Sequence, residues 1–309
     1  MSWHPHEIAP GDVSSPATAQ GLLEYLRAER ALDSLLTEHK ALVFRGFGVS
    51  PETLESAIDL LLPNRLAYVH GNSPRTKVGK NVYTSTEYPP EYTISMHNEL
   101  SYAASWPARL MFFCQVAPAT GGATPIVEGT AWLEALDDEV RDAFAGGVRY
   151  TQNLHDGLGL GKSWQDTFES QDRDQVQQLL AASGATWEWR SDGGLRVHMV
   201  RPSTIKHPVT HDEVWFNQSD QWHSAALGDE TAAALAKIMP EDELPQSVTF
   251  ADGSPIPGEY AIQVRDRGLA TAVDVPWRTG DLMLIDNIAV GHGRRSFTGP
   301  RRVLVAMSD

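Results

Sequence analysis

Two kinds of apolar patterning divide the chain. Ser15-Pro16 carries the N-cap and first-turn signature of a helix running through "ATAQGLLEYLRAERALDSLL", and Ser50-Pro51 repeats it before "ETLESAIDLLL". Between them "ALVFRGFG" reads as a strand. After residue 80 the pattern changes to short apolar runs bounded by turns: "NVYTSTEY", "TISMHNEL", "RLMFFCQVA" and "TPIVEG". These predict a sheet. A helix presenting Trp132, Leu133, Leu136, Val140 and Phe144 follows, then mixed structure, then the strands "LRVHMV" and "EVWFNQ". The chain closes with "DLMLIDNIAVGH", a turn at "SFTGP", and "RRVLVAM", which read as a hairpin with an apolar interior. There is no internal repeat and no linker-like tract, so residues 1–309 read as one mixed α+β domain: a distorted double-sheet barrel with helices packed outside.

Composition narrows the function classes. With 41% apolar and 21% charged residues the chain is an ordinary globular protein. Cys114 is the only cysteine and sits in an apolar run, which removes disulfide frameworks and CxxC sites and fits a reducing cytoplasm. No basic, apolar leader opens the sequence and no run has the length of a membrane span, so neither secretion nor a membrane role is expected. A formal charge of −15 repels phosphate backbones and excludes a nucleic-acid partner. Docking to an acidic protein would need a local basic rim, for which Lys206, Arg294, Arg295 and Arg301 are the candidates.

The chemistry concentrates in "MHNELSY". Two residues apart on a strand, His97 and Glu99 share a face and can present an imidazole nitrogen and a carboxylate to one point. A second histidine completes a two-histidine, one-carboxylate facial triad, a ligand set suited to non-haem Fe(II) and oxygen; Zn2+ and hydrolysis are compatible with the same ligands. "HDE", His211 to Glu213, is a second copy of the motif with His207 and His223 nearby, but it lies among turn formers where solvent exposure is the simpler account. For the distal histidine, His292 stands out because "DLMLIDN" runs into it and the chain returns beside it. That return brings Arg301 or Arg302 close, and a fixed guanidinium fork suits the far carboxylate of a dicarboxylate co-substrate. Pairing of these arginines with Asp281 or Asp286 is the structural alternative.

"HNELSY…WPARLMFFCQVAPATGGATPIVEG" followed by "DNIAVGHGRRSFTGPRRVLVAM" resembles the taurine dioxygenase and clavaminate synthase-like superfamily of Fe(II)- and 2-oxoglutarate-dependent oxygenases, over roughly residues 35–307. The resemblance implies a double-stranded β-helix (jelly-roll) core with flanking helices and an insertion, roughly residues 150–235, over the active site. It implies His97, Glu99 and His292 as iron ligands, Thr124 and Arg302 as the groups that hold 2-oxoglutarate with Arg301 as the neighbour one register away, and O2 as the oxidant. The expected reaction hydroxylates an unactivated C–H bond of an amino acid or amino-acid-derived small molecule, free or presented on a carrier protein, in specialised metabolism, with release of succinate and CO2. Desaturation, epoxidation or cyclisation by the same oxidant, and a non-catalytic metabolite-binding barrel, are the alternatives. Glu99 in place of the more usual Asp points to the clavaminate synthase side and to amino-acid hydroxylases, and it leaves no iron position for chloride. Ala306, four residues past Arg302, speaks against a sulfonate substrate. Five of the nine tryptophans, Trp164, Trp187, Trp189, Trp215 and Trp222, fall within residues 164–222; as core fillers they need no function. Trp215, Asn217 and Gln218 of "VWFNQSDQWH" and Arg75 of "NSPRT" are the substrate-pocket candidates, with Asn72 and Ser73 as turn caps in the alternative.

Overall fold

In the computed structural model, which describes residues 3–29, 31–67, 75–228 and 237–309, side chains along the strand Arg109–Val116 alternate between two apolar environments. Leu110, Phe112 and Cys114 face one cluster, Met111 and Phe113 the other. The strands Ala41–Phe44, Leu282–Asp286 and Arg302–Ser308 divide their residues in the same way. These belong to a seven-stranded sheet ordered His6–Ile8, Ala41–Phe44, Leu282–Asp286, Arg109–Val116, Arg302–Ser308, Val82–Thr84, Lys77–Gly79. On one face lie the helices Ala19–Ala28 and Pro51–Leu61, which contribute Leu22, Leu26, Ile58 and Leu61. Against the other face packs a four-stranded antiparallel sheet of Val273–Val275, Thr124–Glu128, Val290–Arg294 and Ile94–His97. Both faces are therefore covered, which is why these strands read as unbroken apolar runs.

A third sheet, Thr186–Trp189, Leu195–Arg201, Val148–Leu154 and Gln246–Phe250, has its own cluster of Leu154, Trp164, Val176, Leu180 and Leu195. It draws on the stretch expected as an insertion and takes its last strand from beyond residue 235.

Three expectations change. The first helix begins at Ala19, capped by the Thr18 hydroxyl, which accepts from the Gly21 N–H, and it stops at Ala28; Leu32–His39 is a separate helix. The break turns Leu32 and Leu36 back onto the same apolar cluster as Leu22 and Leu26. Likewise Trp132 and Phe144 sit on two short helices, Gly129–Ala135 and Asp138–Phe144. The C-terminal strands form no simple hairpin: Leu282–Asp286 lies in the large sheet and Val290–Arg294 in the facing one. The Asp286 carboxylate accepts from the Ile288 and Ala289 N–H groups at 2.9 and 3.0 Å, a tight turn that carries the chain across the core. Ser50-Pro51 behaves as read, with Ser50 and Thr53 forming a reciprocal capping box.

Gly293 marks a close approach between the strand Val290–Arg294 and its edge neighbour Ile94–His97. The ladder between Val290–Arg294 and Ile94–His97 is irregular there, and a Cβ on Gly293 would lie 2.5 Å from the Ile94 carbonyl oxygen. Gly293→Ala is expected to cost about 1–3 kcal/mol, read from the denaturant midpoint.

Candidate metal centre

His97 ends the strand Ile94–His97, and its Cα pairs across the ladder with that of His292; the ring centroids are 4.3 Å apart. The regular strand stops there. Glu99 does not share a strand face with His97, as the spacing alone predicted, but lies in the turn that follows. Leu100, the next residue, has φ +58°, a left-handed conformation that a branched side chain adopts only when its surroundings enforce it. The turn brings the carboxylate back beside the imidazoles. One donor atom each from His97, Glu99 and His292 lie within 4.8 Å of one another, and all three residues are buried.

Asn287 enforces that turn. Its Oδ1 accepts the Glu99 N–H at 2.7 Å, and its Nδ2 donates to the carbonyls of Glu99 at 3.1 Å and Pro107 at 2.8 Å. Asn98 Nδ2 donates to the Asn287 carbonyl at 2.7 Å, and Gln218 Nε2 donates to the Asn98 carbonyl at 2.8 Å. A carboxylate and a non-glycine residue at positive φ are thus held by a lattice of amides in which both Asn287 N–H groups are used. Asn287 went unassigned in the sequence reading, although "DNIAVGH" contains it at the crossing between sheets.

His97 Nδ1–H donates to the Ser95 carbonyl at 3.0 Å, which leaves Nε2 with the lone pair a metal needs. Gln221, on the short helix Ser219–Trp222, donates to the same carbonyl at 3.0 Å and lies 3.1 Å from Nδ1. Burial holds both histidines below their ordinary pKa, against the opposing pull of Glu99 on His97, and His292 well below. Each is a neutral ligand at neutral pH. Glu99 Oε2 lies 3.9 Å from His292 Nε2 and accepts from Arg75 Nη2 at 2.7 Å, so a buried guanidinium balances the carboxylate. Three buried donors, the imidazoles neutral and the acid ionisable, fit a divalent cation, and the set has the two-histidine, one-carboxylate composition that suits Fe(II).

Two further groups face the cluster. Thr124 opens the strand that pairs with His292 and lies two residues before Ile126, its cross-strand partner. Trp277 Nε1–H donates to Thr124 Oγ1 at 2.9 Å, which occupies that oxygen and leaves the hydroxyl proton to donate elsewhere. Arg301 joins Thr124, His97 and His292 around one small cavity, with its Nε donating to the Gly122 carbonyl at 3.0 Å. Burial and the neighbouring Arg294 guanidinium lower Arg301 to about 10, so it stays cationic with no carboxylate paired to it among the described residues.

Arg302 is corrected here. Its side chain is exposed and is not part of that cavity. Strand alternation gives the reason: Val303, Val305 and Met307 face the inner cluster, so Arg301 continues the inward set and Arg302 points out.

On the other side of the triad opens a cavity of about 620 Å3 lined by Glu99, Gln218, Gln221, Tyr88, Tyr102 and Trp222, among others. Of the substrate candidates, Gln218 lines it, but with its Nε2 committed to Asn98. Trp215 does not; it packs against Phe144 and Trp132, with centroids 5.3 and 6.1 Å away, inside the core. Asn217 is buried, donating to the Ser203 carbonyl and accepting from the Ser219 N–H, both at 2.9 Å. Arg75 serves Glu99. Trp164 and Trp189 stack with Arg173 in the third sheet's own cluster. His211 and Glu213 are exposed, as their turn context indicated. Asn72 and Ser73 lie outside the described residues. Gln221, Tyr102 and Trp222 line this cavity without having been pocket candidates; Gln221 and Trp222 come there on the Ser219–Trp222 helix, which the Gln221 bond sets against Ser95.

The sequence model of the family described as taurine catabolism dioxygenase TauD, TfdA family, matches residues 21–307. Dapdiamide synthesis protein DdaC of Enterobacter agglomerans is 32% identical over 295 residues, spanning 95% of this chain and 89% of that one. Among solved structures, PvcB of Pseudomonas aeruginosa, an Fe, alpha-ketoglutarate-dependent oxygenase from an isonitrile synthetic pathway, superposes with a TM-score of 0.52 at 16% identity, covering 98% of this chain and 86% of its own. An asparagine oxygenase solved with Fe(II), 3-hydroxyasparagine and succinate gives 0.53 at 15%, covering 93% and 78%. Among the described residues no helix is long and apolar enough to cross a membrane.

Asn287→Leu is expected to weaken Fe(II) affinity about 10–100-fold in anaerobic calorimetry, because Glu99 loses its backbone anchor. Asp220, on the Ser219–Trp222 helix behind Ser95, has its carboxyl raised to about 7 by burial. Its folded form holds a proton that the unfolded chain releases near the ordinary carboxylate pKa, so folding is penalised progressively as pH rises from the ordinary carboxylate range to about 7, and in full above that. Asp220→Asn should therefore raise the melting temperature by about 2–6 °C at about pH 8 and by less at about pH 5.

Proposed function

Because the chain belongs to the TauD/TfdA family of dioxygenases and is an Fe(II)- and 2-oxoglutarate-dependent oxygenase, we propose that it hydroxylates an unactivated C–H bond of an amino acid or amino-acid-derived molecule. The observation that carries the proposal is the position of the His97–Glu99–His292 cluster between two unlike cavities. One holds the Thr124 hydroxyl and the Arg301 guanidinium, which has no carboxylate partner among the described residues; the other is walled chiefly by amides and aromatic rings, with Arg265 among them. We read the two facing sheets as the jelly-roll core and the third sheet as the wall built over the larger cavity.

With iron bound by His97, Glu99 and His292, O2 and 2-oxoglutarate supply an oxidant strong enough to remove hydrogen from an unactivated carbon, while the co-substrate leaves as succinate and CO2. The protein's residues do the rest. Arg301 and the Thr124 hydroxyl grip the co-substrate's far carboxylate by charge-assisted hydrogen bonds. Trp277 fixes the direction of that hydroxyl. Gln221 and Ser95 orient His97, and Asn287 holds Glu99 in its turn. Tyr102 and Trp222, whose rings lie 5.0 Å apart, give the larger cavity a rigid aromatic wall that aims one C–H bond and excludes water.

The kinship with a dapdiamide synthesis protein and the fold shared with an asparagine oxygenase support an amino-acid-like substrate and a place in specialised metabolism. At about 620 Å3 the cavity accommodates an amino acid carrying a further group, free or presented on a carrier. Four residues past Arg301 stands Val305, which lines the inner cavity. No second arginine meets a sulfonate there, so counting from Arg301 disfavours a sulfonate substrate as counting from Arg302 to Ala306 does.

His97→Ala and His292→Ala should each abolish succinate formation and iron binding; full turnover by either would refute the assignment. At about 0.5 M salt, Arg301→Ala should raise the dissociation constant for 2-oxoglutarate by about 30-fold or more while Arg302→Ala leaves it unchanged. With an amino-acid panel, hydroxylation reads as the gain of one oxygen in the product mass; loss of two hydrogens would assign desaturation instead.

A further inference from the structure

The small cavity beneath Arg301 is walled by Ser85, Thr86, Arg294, Arg301 and Val303, and the same residues wall a second, outer cavity of about 720 Å3. The outer cavity extends past Thr76 and Thr84 to Arg302. The segment Thr86–Tyr92, which has no regular secondary structure, divides it from the cavity over Glu99: Thr86 and Tyr88 line both, while Gln218 and Gln221 line only the latter.

One buried guanidinium holds this divider. Arg294 Nη1 donates to the carbonyls of Thr86 at 3.4 Å and Tyr88 at 2.9 Å, and Nη2 to those of Pro89 at 2.7 Å and Tyr92 at 2.9 Å. The Phe297 N–H adds a bond to Pro90 at 2.9 Å. A loop whose carbonyls converge on a single fork is a partition with a fixed shape, not a freely swinging flap.

The charges on the two sides differ. Lining the outer cavity are Arg294, Arg301 and Arg302 against one acid, Glu87, whose Oε1 already accepts from the Thr76 and Thr84 hydroxyls at 3.0 and 2.8 Å. Among the described residues no carboxylate pairs with Arg302. On a chain of net charge −15, this mouth is a local positive focus, and its natural visitor is a small dianion.

We infer that 2-oxoglutarate enters through this outer cavity, behind the Thr86–Tyr92 partition, with Arg302 as the steering cation at its mouth, while the substrate uses the cavity over Glu99. The inference rests on the reading that Arg301 and Thr124 anchor the co-substrate. Arg302 thereby has a role on the path rather than at the destination.

Stopped-flow mixing of 2-oxoglutarate with the anaerobic Fe(II)-loaded protein, followed by the visible charge-transfer absorption of the chelate, tests this. Arg302→Glu should lower the association rate constant about three- to tenfold at low ionic strength and less than about twofold at about 0.5 M salt, with the dissociation rate constant unchanged. Arg265→Glu reverses a cation that lines the other cavity, and it should leave association at the wild-type rate. Wild-type association by Arg302→Glu at low salt, or slowing by Arg265→Glu instead, would overturn the route. Arg301→Ala separates the two readings: it should raise the dissociation rate constant, and no change there sinks the anchor, whereas an effect of Arg301→Ala without one of Arg302→Glu sinks only the route.

Discussion

A carboxylate buried beside two imidazoles is a demanding arrangement, and much of the structure around it answers that demand. Glu99 cannot remain charged in an apolar interior without compensation. The imidazoles do not provide it, since burial keeps both neutral; Arg75 does, at 2.7 Å. Nor can the carboxylate reach its position by strand geometry, because the strand ends at His97. A turn with Leu100 at positive φ delivers it, and Asn287 stabilises that turn through both edges of its amide. Asn287 sits where the chain crosses from one sheet to the other, five residues before His292. One amide therefore ties together the two segments that supply all three ligands.

From that fixed centre the surroundings divide by charge and polarity. Behind it are guanidinium groups and hydroxyls, the partners of a dicarboxylate. In front are amides and aromatic rings with the cation Arg265 among them, the wall that in the proposed function meets an amino-acid-like substrate. A separate apolar cavity of about 300 Å3 between the third sheet and the barrel shares Tyr102 and Trp222 with the front cavity but contains no ligand of the cluster. Donor chemistry, more than volume, thus distinguishes the working site.

The ligands were legible in the sequence because three polar residues were embedded in apolar strand runs where burial is costly. Glu99 was picked on an even spacing that the fold does not use, since a turn rather than a strand brings it beside His97. Which of Arg301 and Arg302 faces the small cavity was also written in the chain, since the inward residues Val303, Val305 and Met307 are all odd-numbered; counting alternation back from them selects Arg301. What spacing could not supply was contact between distant segments. Trp277 against Thr124, Gln221 against Ser95 and Asn287 against Glu99 join residues more than 120 positions apart. Trp215 misled because an aromatic next to pocket residues has the same sequence appearance whether it faces the cavity or, as here, Trp132 and Phe144.

The central claim is that His97, Glu99 and His292 hold one ferrous ion with room for 2-oxoglutarate to chelate it. Anaerobic titration of the Fe(II)-loaded protein with 2-oxoglutarate measures this directly. The account predicts a visible charge-transfer band that saturates at one co-substrate per iron and per chain; failure of the band to appear with iron bound stoichiometrically would contradict it.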